Sequence, residues 1–114
     1  MGEKVILPLE LTVAAGASGT HDIAIAPEGR KLILRKVTIA FPSGSEGYLG
    51  IAVRYGARNI IPDSGYITGD DQKFEFEKTW TYEAGSPVKI AYVNNDSTYS
   101  HTAFIIVELE LEEV

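Results

Sequence analysis

The sequence of 114 residues contains no cysteine, and this absence excludes several kinds of protein at once. Without Cys the chain has no disulfide framework, no thiolate zinc site and no cysteine nucleophile. The longest apolar runs, such as residues 104–107, are far too short to cross a bilayer. The first residues also lack the long apolar stretch of a signal peptide. We therefore expect no membrane partner, and no signal peptide is visible in this chain.

Basic residues are scarce as well. The chain has 10 Lys and Arg against 16 Asp and Glu, for a net charge of −6, and the basic residues are scattered. Proteins that bind nucleic acid depend on clustered Lys and Arg to neutralise phosphates. The sequence therefore predicts no nucleic-acid partner.

The residues that are present favour a folded, β-rich domain. Hydrophobic residues make up 45% of the chain, and 28 residues are Ile, Val or Thr, whereas there is a single Gln and a single Met. β-Branched side chains fit a pleated sheet and crowd a helix. A chain of this length is sufficient for one hydrophobic core. We therefore predict a single all-β domain over residues 1–114.

Alternation of apolar and polar residues recurs along nearly the whole chain, and no stretch has a convincing helical period. It is clearest in residues 74–82, where Phe74, Phe76, Trp80 and Tyr82 share one face. About eight such strands follow one another, separated by Gly, Pro, Asn and Asp turns. This spacing predicts an antiparallel β-sandwich of jelly-roll type. An immunoglobulin-like sandwich is the alternative, although its Cys–Trp–Cys core marker is missing.

Two further expectations concern individual strands. In residues 31–41 the alternation places Arg35 on the same face as Val37, Ile39 and Phe41. Pro8 cannot donate to a ladder, so the first strand should lie at a sheet edge, with residues 1–8 as a candidate N-terminal arm that closes the sheet or pairs with a neighbouring subunit. The carboxylates of residues 108–113 suggest protection of another edge against pairing.

Catalytic motifs are not apparent. The two histidines, His21 and His101, belong to no metal-binding pair, and no serine lies in a G-x-S-x-G elbow. A small jelly-roll enzyme would need both histidines to converge with carboxylates. We therefore predict that the protein is not an enzyme.

Two acidic loops are candidates for a cation. Asp70 and Asp71 lie in one loop and Asp96 in the other, and calcium prefers oxygen ligands of this kind. Asp and Asn are also the usual residues of turns, because their side chains bond to the nearby backbone. Calcium is thus a possible cofactor, and plain turn formation is the alternative.

Aromatic side chains near predicted loops raise a second kind of binding. Tyrosine rings can stack on sugars or contact a protein partner, while amides and carboxylates bond to hydroxyl groups. Trp80 lies on the core face of its strand and is expected to fill the core. The candidate set for carbohydrate or partner binding is Tyr66, Tyr82, Tyr92, Tyr99, His101 and Asn95. The alternative is that these tyrosines simply cap the ends of the sandwich.

Three segments resemble those of small, cysteine-free jelly-roll modules found as capsid decoration and tail accessory proteins of viruses, phages especially. They are the compact hairpin of residues 48–61, the loop of residues 65–71 and the closing strand of residues 104–111. The resemblance implies a homo-oligomeric structural protein that binds a protein lattice, such as a capsid or tail, and locates it in a virion or outside the cell. A carbohydrate-binding module is the alternative function. The resemblance has no diagnostic motif, so it transfers no binding residues.

Overall fold

The computed structural model describes residues 2–113, which form eight β-strands. Their bounds are β1 Glu3–Val13, β2 Ser18–Ile25, β3 Arg30–Phe41, β4 Leu49–Tyr55, β5 Arg58–Ile61, β6 Gln72–Tyr82, β7 Pro87–Asn94 and β8 His101–Glu113. Within this part of the chain, no helix is long and apolar enough to span a membrane.

The strands form two four-stranded sheets that pack face to face. One sheet, which we call sheet A, has the order β1-β8-β3-β6, and the other, sheet B, has the order β2-β7-β4-β5. Neighbouring strands are antiparallel throughout both sheets. Except for the β4–β5 hairpin, each connection crosses from one sheet to the other. Paired Greek-key crossings of this kind define a jelly roll, so the predicted all-β jelly-roll sandwich is confirmed.

The core lies between the sheets and follows the alternation read from the sequence. Leu34, Val37 and Ile39 of β3 are fully buried, as are Ile105 and Val107 of β8. Each of these side chains stands on the inner face of its strand, and the period-two spacing holds within β8 and between Val37 and Ile39 of β3. β3 is a central strand of sheet A, because it is paired on both sides, with β8 and β6.

A β-bulge at Arg35 corrects one predicted face. The register of β3 shifts between Leu34 and Lys36 against both neighbouring strands. The extra residue turns the strand by one position, so that Leu34 and Val37 both face the core and Arg35 faces solvent. The simple alternation that put Arg35 beside Val37 is therefore wrong at this position.

The carboxylates of β8 do not protect an edge, as the sequence suggested, because β8 is an inner strand between β1 and β3. Glu108 lies 3.6 Å from Lys4, and Glu110 accepts two hydrogen bonds from the Arg35 guanidinium at 3.1 and 3.2 Å. These contacts hold the pKa of Glu110 below its usual value, chiefly through the Arg35 hydrogen bonds. The glutamates are thus cross-strand partners on the outer face of sheet A.

The N-terminal stretch is part of the same strand as the residues that follow it. β1 runs unbroken from Glu3 to Val13 and pairs with β8 of its own chain, from Glu3 opposite Leu111 to Val13 opposite His101. Its other side has no partner strand in sheet A, so β1 is an edge strand that contains Pro8. In this structure the first strand closes the sheet beside the last one.

Candidate functional site

Two loops at one end of the sandwich enclose a cleft of about 450 Å³. One loop follows β3 and the other joins β7 to β8. They are brought together because β3 and β8 are neighbours in sheet A. The residues that line the cleft are Pro42, Ser43, Gly44, Ser45, Glu46, Asp96, Tyr99, Ser100, His101 and Thr102.

Asn94, at the end of β7, anchors the second loop. Its side chain is 1% exposed, and its Nδ2 donates to the carbonyls of Val13, Ala14 and Tyr99 at 3.1, 3.3 and 2.9 Å. Its Oδ1 accepts a hydrogen bond from the Asp96 amide at 3.0 Å. A buried amide with both ends satisfied specifies a single loop conformation. Asn94 was not among the predicted site residues, although an Asn directly before Asn-Asp-Ser is a recognisable turn signal.

Asp96 is the central acidic group of the cleft. Its Oδ1 accepts from the amides of Thr98 and Tyr99 at 2.9 and 3.3 Å, and its Oδ2 lies 2.8 Å from Nε2 of His101. The pKa of Asp96 is held below its usual value, chiefly by the hydrogen bond from the Thr98 amide and next by the hydrogen bond with the His101 imidazole. Asp96 is therefore a well-anchored carboxylate whose oxygens are already engaged within the loop.

An aromatic ring also packs against one face of the His101 imidazole. The Tyr48 ring is stacked on it, with centroids 5.9 Å apart and planes inclined by 19°. The side chains of His101 and Asp96 are only 11% and 13% exposed. An Asp–His pair of this kind can orient an imidazole for proton transfer. The nearby Ser45 is not its partner, since that serine is buried and lies 3.0 Å from the Pro42 carbonyl, to which its hydroxyl donates.

Asp70 organises the first loop from outside the cleft. Its Oδ1 accepts from the amides of Gly44 and Glu46 at 2.8 and 3.2 Å. Asp71 follows with a φ of 50°, a left-handed conformation that Asp tolerates in turns. The contacts of Asp70 and Asp96 are those of turn-forming residues. Among residues 2–113, no group of three or more His, Asp or Glu could hold a metal ion. Calcium binding by Asp70, Asp71 and Asp96 therefore stays a prediction.

The structure separates the candidate aromatic residues into surface and core groups. Tyr99, with 68% of its surface exposed, lies at the cleft together with His101, and Asn95 is exposed in the same loop. Tyr66 is also exposed, on sheet B, where the Arg54 guanidinium lies 5.6 Å from its ring centroid. Tyr92 is half-buried and packs against the core.

Tyr82 does not belong in the candidate binding set, because it is fully buried and presents no surface to a ligand. Its hydroxyl donates to the Arg54 carbonyl at 3.1 Å, and burial raises its pKa. Trp80 is half-buried against the core beside Tyr55, with the Arg58 guanidinium 4.8 Å from its ring. His21 lies exposed on β2 and does not line the cleft, so the two histidines do not share it.

No protein-family model matches the chain, and no characterised protein matches it by sequence. Solved structures do match it. A chain of the cyanophage Pam1 capsid asymmetric unit superposes with a TM-score of 0.61 at 14% identity, over 96% of this chain and 85% of that one. A chain of the acid-stable capsid of Helicobacter pylori bacteriophage KHP30 gives 0.55 at 14% identity, over 100% and 98%. The PRD1 vertex protein P5 gives 0.52 at 12% identity, over 96% of each chain. The chain thus has a structural resemblance to viral capsid jelly-roll proteins, and at these identities the likeness concerns the fold.

Proposed function

We propose that this chain is a non-enzymatic structural component of a virion, acting as a homo-oligomer that decorates a capsid or serves as a tail accessory protein. The observation that carries the proposal is the match over whole chains. The jelly roll of the KHP30 capsid chain and that of the vertex protein correspond to this chain from end to end. A fold by itself hosts many functions, so the surface must also suit the role.

Two features of the surface support this role. Ser45 donates its hydroxyl to the Pro42 carbonyl and Asp96 accepts from amides of its own loop, which favours a structural use of the cleft loops. An apolar patch on the outer face of sheet A includes Phe104 and Ile106, both exposed. Exposed apolar patches rimmed by polar residues mark protein–protein contacts. A protein lattice and a second copy of the chain are therefore the proposed partners.

Binding to particles tests the proposal. Purified protein is mixed with virus particles isolated from the source of the sequence and is sedimented through a sucrose cushion. We expect the protein to pellet with the particles and to saturate at a fixed ratio to the major capsid protein. Mass spectrometry of untreated particles should also detect the chain. Absence from particles together with no co-sedimentation would overturn the proposal.

Carbohydrate binding is the second candidate, and it rests on the position of Tyr99. This exposed ring lies at the mouth of a cleft whose other groups include Glu46, Ser43 and Ser100. A flat ring beside hydroxyl and carboxylate groups suits the apolar face and the hydroxyls of a sugar. Such a site would use Tyr99 for stacking and the surrounding side chains for hydrogen bonds.

A glycan array, screened with and without calcium, tests this second candidate. If a glycan binds, Tyr99→Ala should weaken binding at least tenfold, because the stacking surface is removed. Ile25→Ala is the matched control, since Ile25 is also exposed but lies at the opposite end of the sandwich. An array without hits, or equal losses in the two variants, would reject the Tyr99 site.

A further inference from the structure

The outer face of sheet A has an apolar patch that no part of the described chain covers. We define the apolar patch as Ile6, Pro8, Ala40, Phe104 and Ile106. Ile6, Phe104 and Ile106 are 53%, 44% and 40% exposed. The register makes these residues neighbours, because Pro8 lies opposite Ile106 and Phe104 lies between Glu10 and Ala40. The large side chains of Phe104 and Ile106 thus lie on β8, and the small side chain of Ala40 lies beside Phe104 on β3.

One row of the patch has opposite charges at its two ends, whereas in the next two rows the β6 residues are Glu75 and Glu77. In the row that contains Phe104, Glu10 stands on the edge strand β1 and Lys73 on the edge strand β6. Both residues are exposed, and within residues 2–113 neither has an ion-pair partner. The order across the sheet in this row is therefore acidic, large apolar, small apolar, basic.

This order is self-complementary. A two-fold axis parallel to the strands, between β8 and β3, places each β1 over the β6 of a second copy. Glu10 of one copy then faces Lys73 of the other, and Phe104 of one copy faces Ala40 of the other. Every such contact occurs twice, as it must in an interface between identical surfaces. Sheets that pack face to face about 10 Å apart interdigitate large and small side chains in this way.

We propose that the apolar patch is the interface of a two-fold homodimer in which sheet A of one copy packs on sheet A of another. The inference rests on the homo-oligomer named in the proposed function and identifies its surface. A second copy is favoured over an unrelated partner because the row through Phe104 supplies both halves of its own charge pairing, Glu10 at one end and Lys73 at the other. A partner of different sequence would have to reproduce the same order of charges and side-chain sizes.

Charge reversal in single and mixed samples tests the two-fold arrangement. The wild-type chain should dimerise with a Kd of about 10 µM or tighter, measured by native mass spectrometry and sedimentation velocity. Glu10→Lys and Lys73→Glu should each raise the Kd at least about tenfold, because each homodimer then contains two like-charge contacts. An equimolar mixture of the two variants should restore dimerisation, since the heterodimer contains two attractive pairs.

A second pair of variants tests the apolar part of the interface. Ile106→Lys should abolish the dimer, because it places a charge in the middle of the patch. Ile25→Lys is the matched control, as Ile25 is an exposed apolar residue of sheet B and should leave dimerisation unchanged. Thermal unfolding followed by circular dichroism should show that both variants fold.

The outcomes separate this inference from the proposed function. A wild-type chain that remains monomeric at 100 µM (about tenfold above the expected Kd) overturns the dimer, and so does a mixture that fails to restore association. If Ile106→Lys leaves dimerisation unchanged, the interface lies elsewhere. In all of these cases, co-sedimentation with particles can still succeed, because it is measured independently of the dimer.

Discussion

Both sheets carry apolar residues on part of their outer faces, but the described chain covers only the part on sheet B. On sheet B, Gly50 and Ala52 of β4 point outward and are nevertheless buried. Tyr66 packs over Gly50, and the backbone of Ile67 bonds to that of Ile51 at 2.8 and 2.9 Å. On sheet A the equivalent surface, the apolar patch, has no such cover.

This difference separates two uses of the same residue types. The small residues on sheet B leave room for a segment of the same chain to pack over them. That segment removes them from solvent within the monomer. The apolar residues of the patch on sheet A stay partly exposed in the monomer and remain available to another molecule. Folding stability should therefore be sensitive to the outer face of sheet B, whereas association should be sensitive to that of sheet A.

The largest difference is expected from the same substitution made on each face. Ala52→Leu should lower the free energy of unfolding by about 3 kcal/mol, because a fully buried site has no room for three further carbons. Ala40→Leu, on the uncovered face, should change it by about 0.5 kcal/mol or less. Urea unfolding at submicromolar protein concentration measures both values without a contribution from association. Equal losses would show that the two faces do not differ in this way.

A smaller effect is expected from closing the space beneath Tyr66. A Cβ at Gly50 would lie 2.7 Å from Cβ and 3.0 Å from Cγ of Tyr66, so Gly50→Ala should cost about 1–2 kcal/mol of stability. Tyr66→Gly removes both of those atoms. In that background Gly50→Ala should cost clearly less, which a double-mutant cycle of urea unfolding would detect. Additive losses would contradict the role of Tyr66 as the cover.

The smallest effect is expected at the end of the sandwich that contains the cleft, away from both outer faces. There Asp96 accepts hydrogen bonds that stabilise the β7–β8 loop. Because the pKa of Asp96 is lowered by folding, its carboxylate stabilises the protein above about pH 4, and this contribution is lost as the pH falls through the lowered pKa. Between pH 5 and pH 2 the melting temperature of the wild type should fall a few degrees further than that of Asp96→Asn. Asp63→Asn, a change at a highly exposed ion pair with Lys78, serves as the control. Parallel melting curves for wild type and Asp96→Asn would refute the expectation.

Much of the strand architecture could be predicted because alternation is a local property of a strand. The inward face of β6 followed directly from side chains two residues apart, and the β4–β5 hairpin lies within the predicted hairpin of residues 48–61. The face of Arg35 could not be predicted. The position of a bulge depends on the register with both neighbouring strands, and that register is a property of the assembled sheet.

The candidate site could be predicted only in part, for a similar reason. Tyr99, His101 and Asn95 were predicted as one binding set because they are close in sequence, and Asp96 of the same loop was predicted as a cation ligand. The contribution of the loop after β3 was not foreseen, since it depends on β3 and β8 being neighbours. Tyr82 was misjudged, because its position beside a turn suggested exposure while the packing of the two sheets buried it.

The sequence by itself determined the all-β class, the approximate number of strands and the residues of the core, because a period of two and a β-branched composition act within each strand. Tertiary structure decided which strands became edges and which outward faces were covered. The glutamates of residues 108–113 illustrate the distinction. Their alternation suggested an edge strand protected against pairing, whereas β8 lies between β1 and β3. Strand order is set by crossings between distant segments, and no local pattern of residues records it.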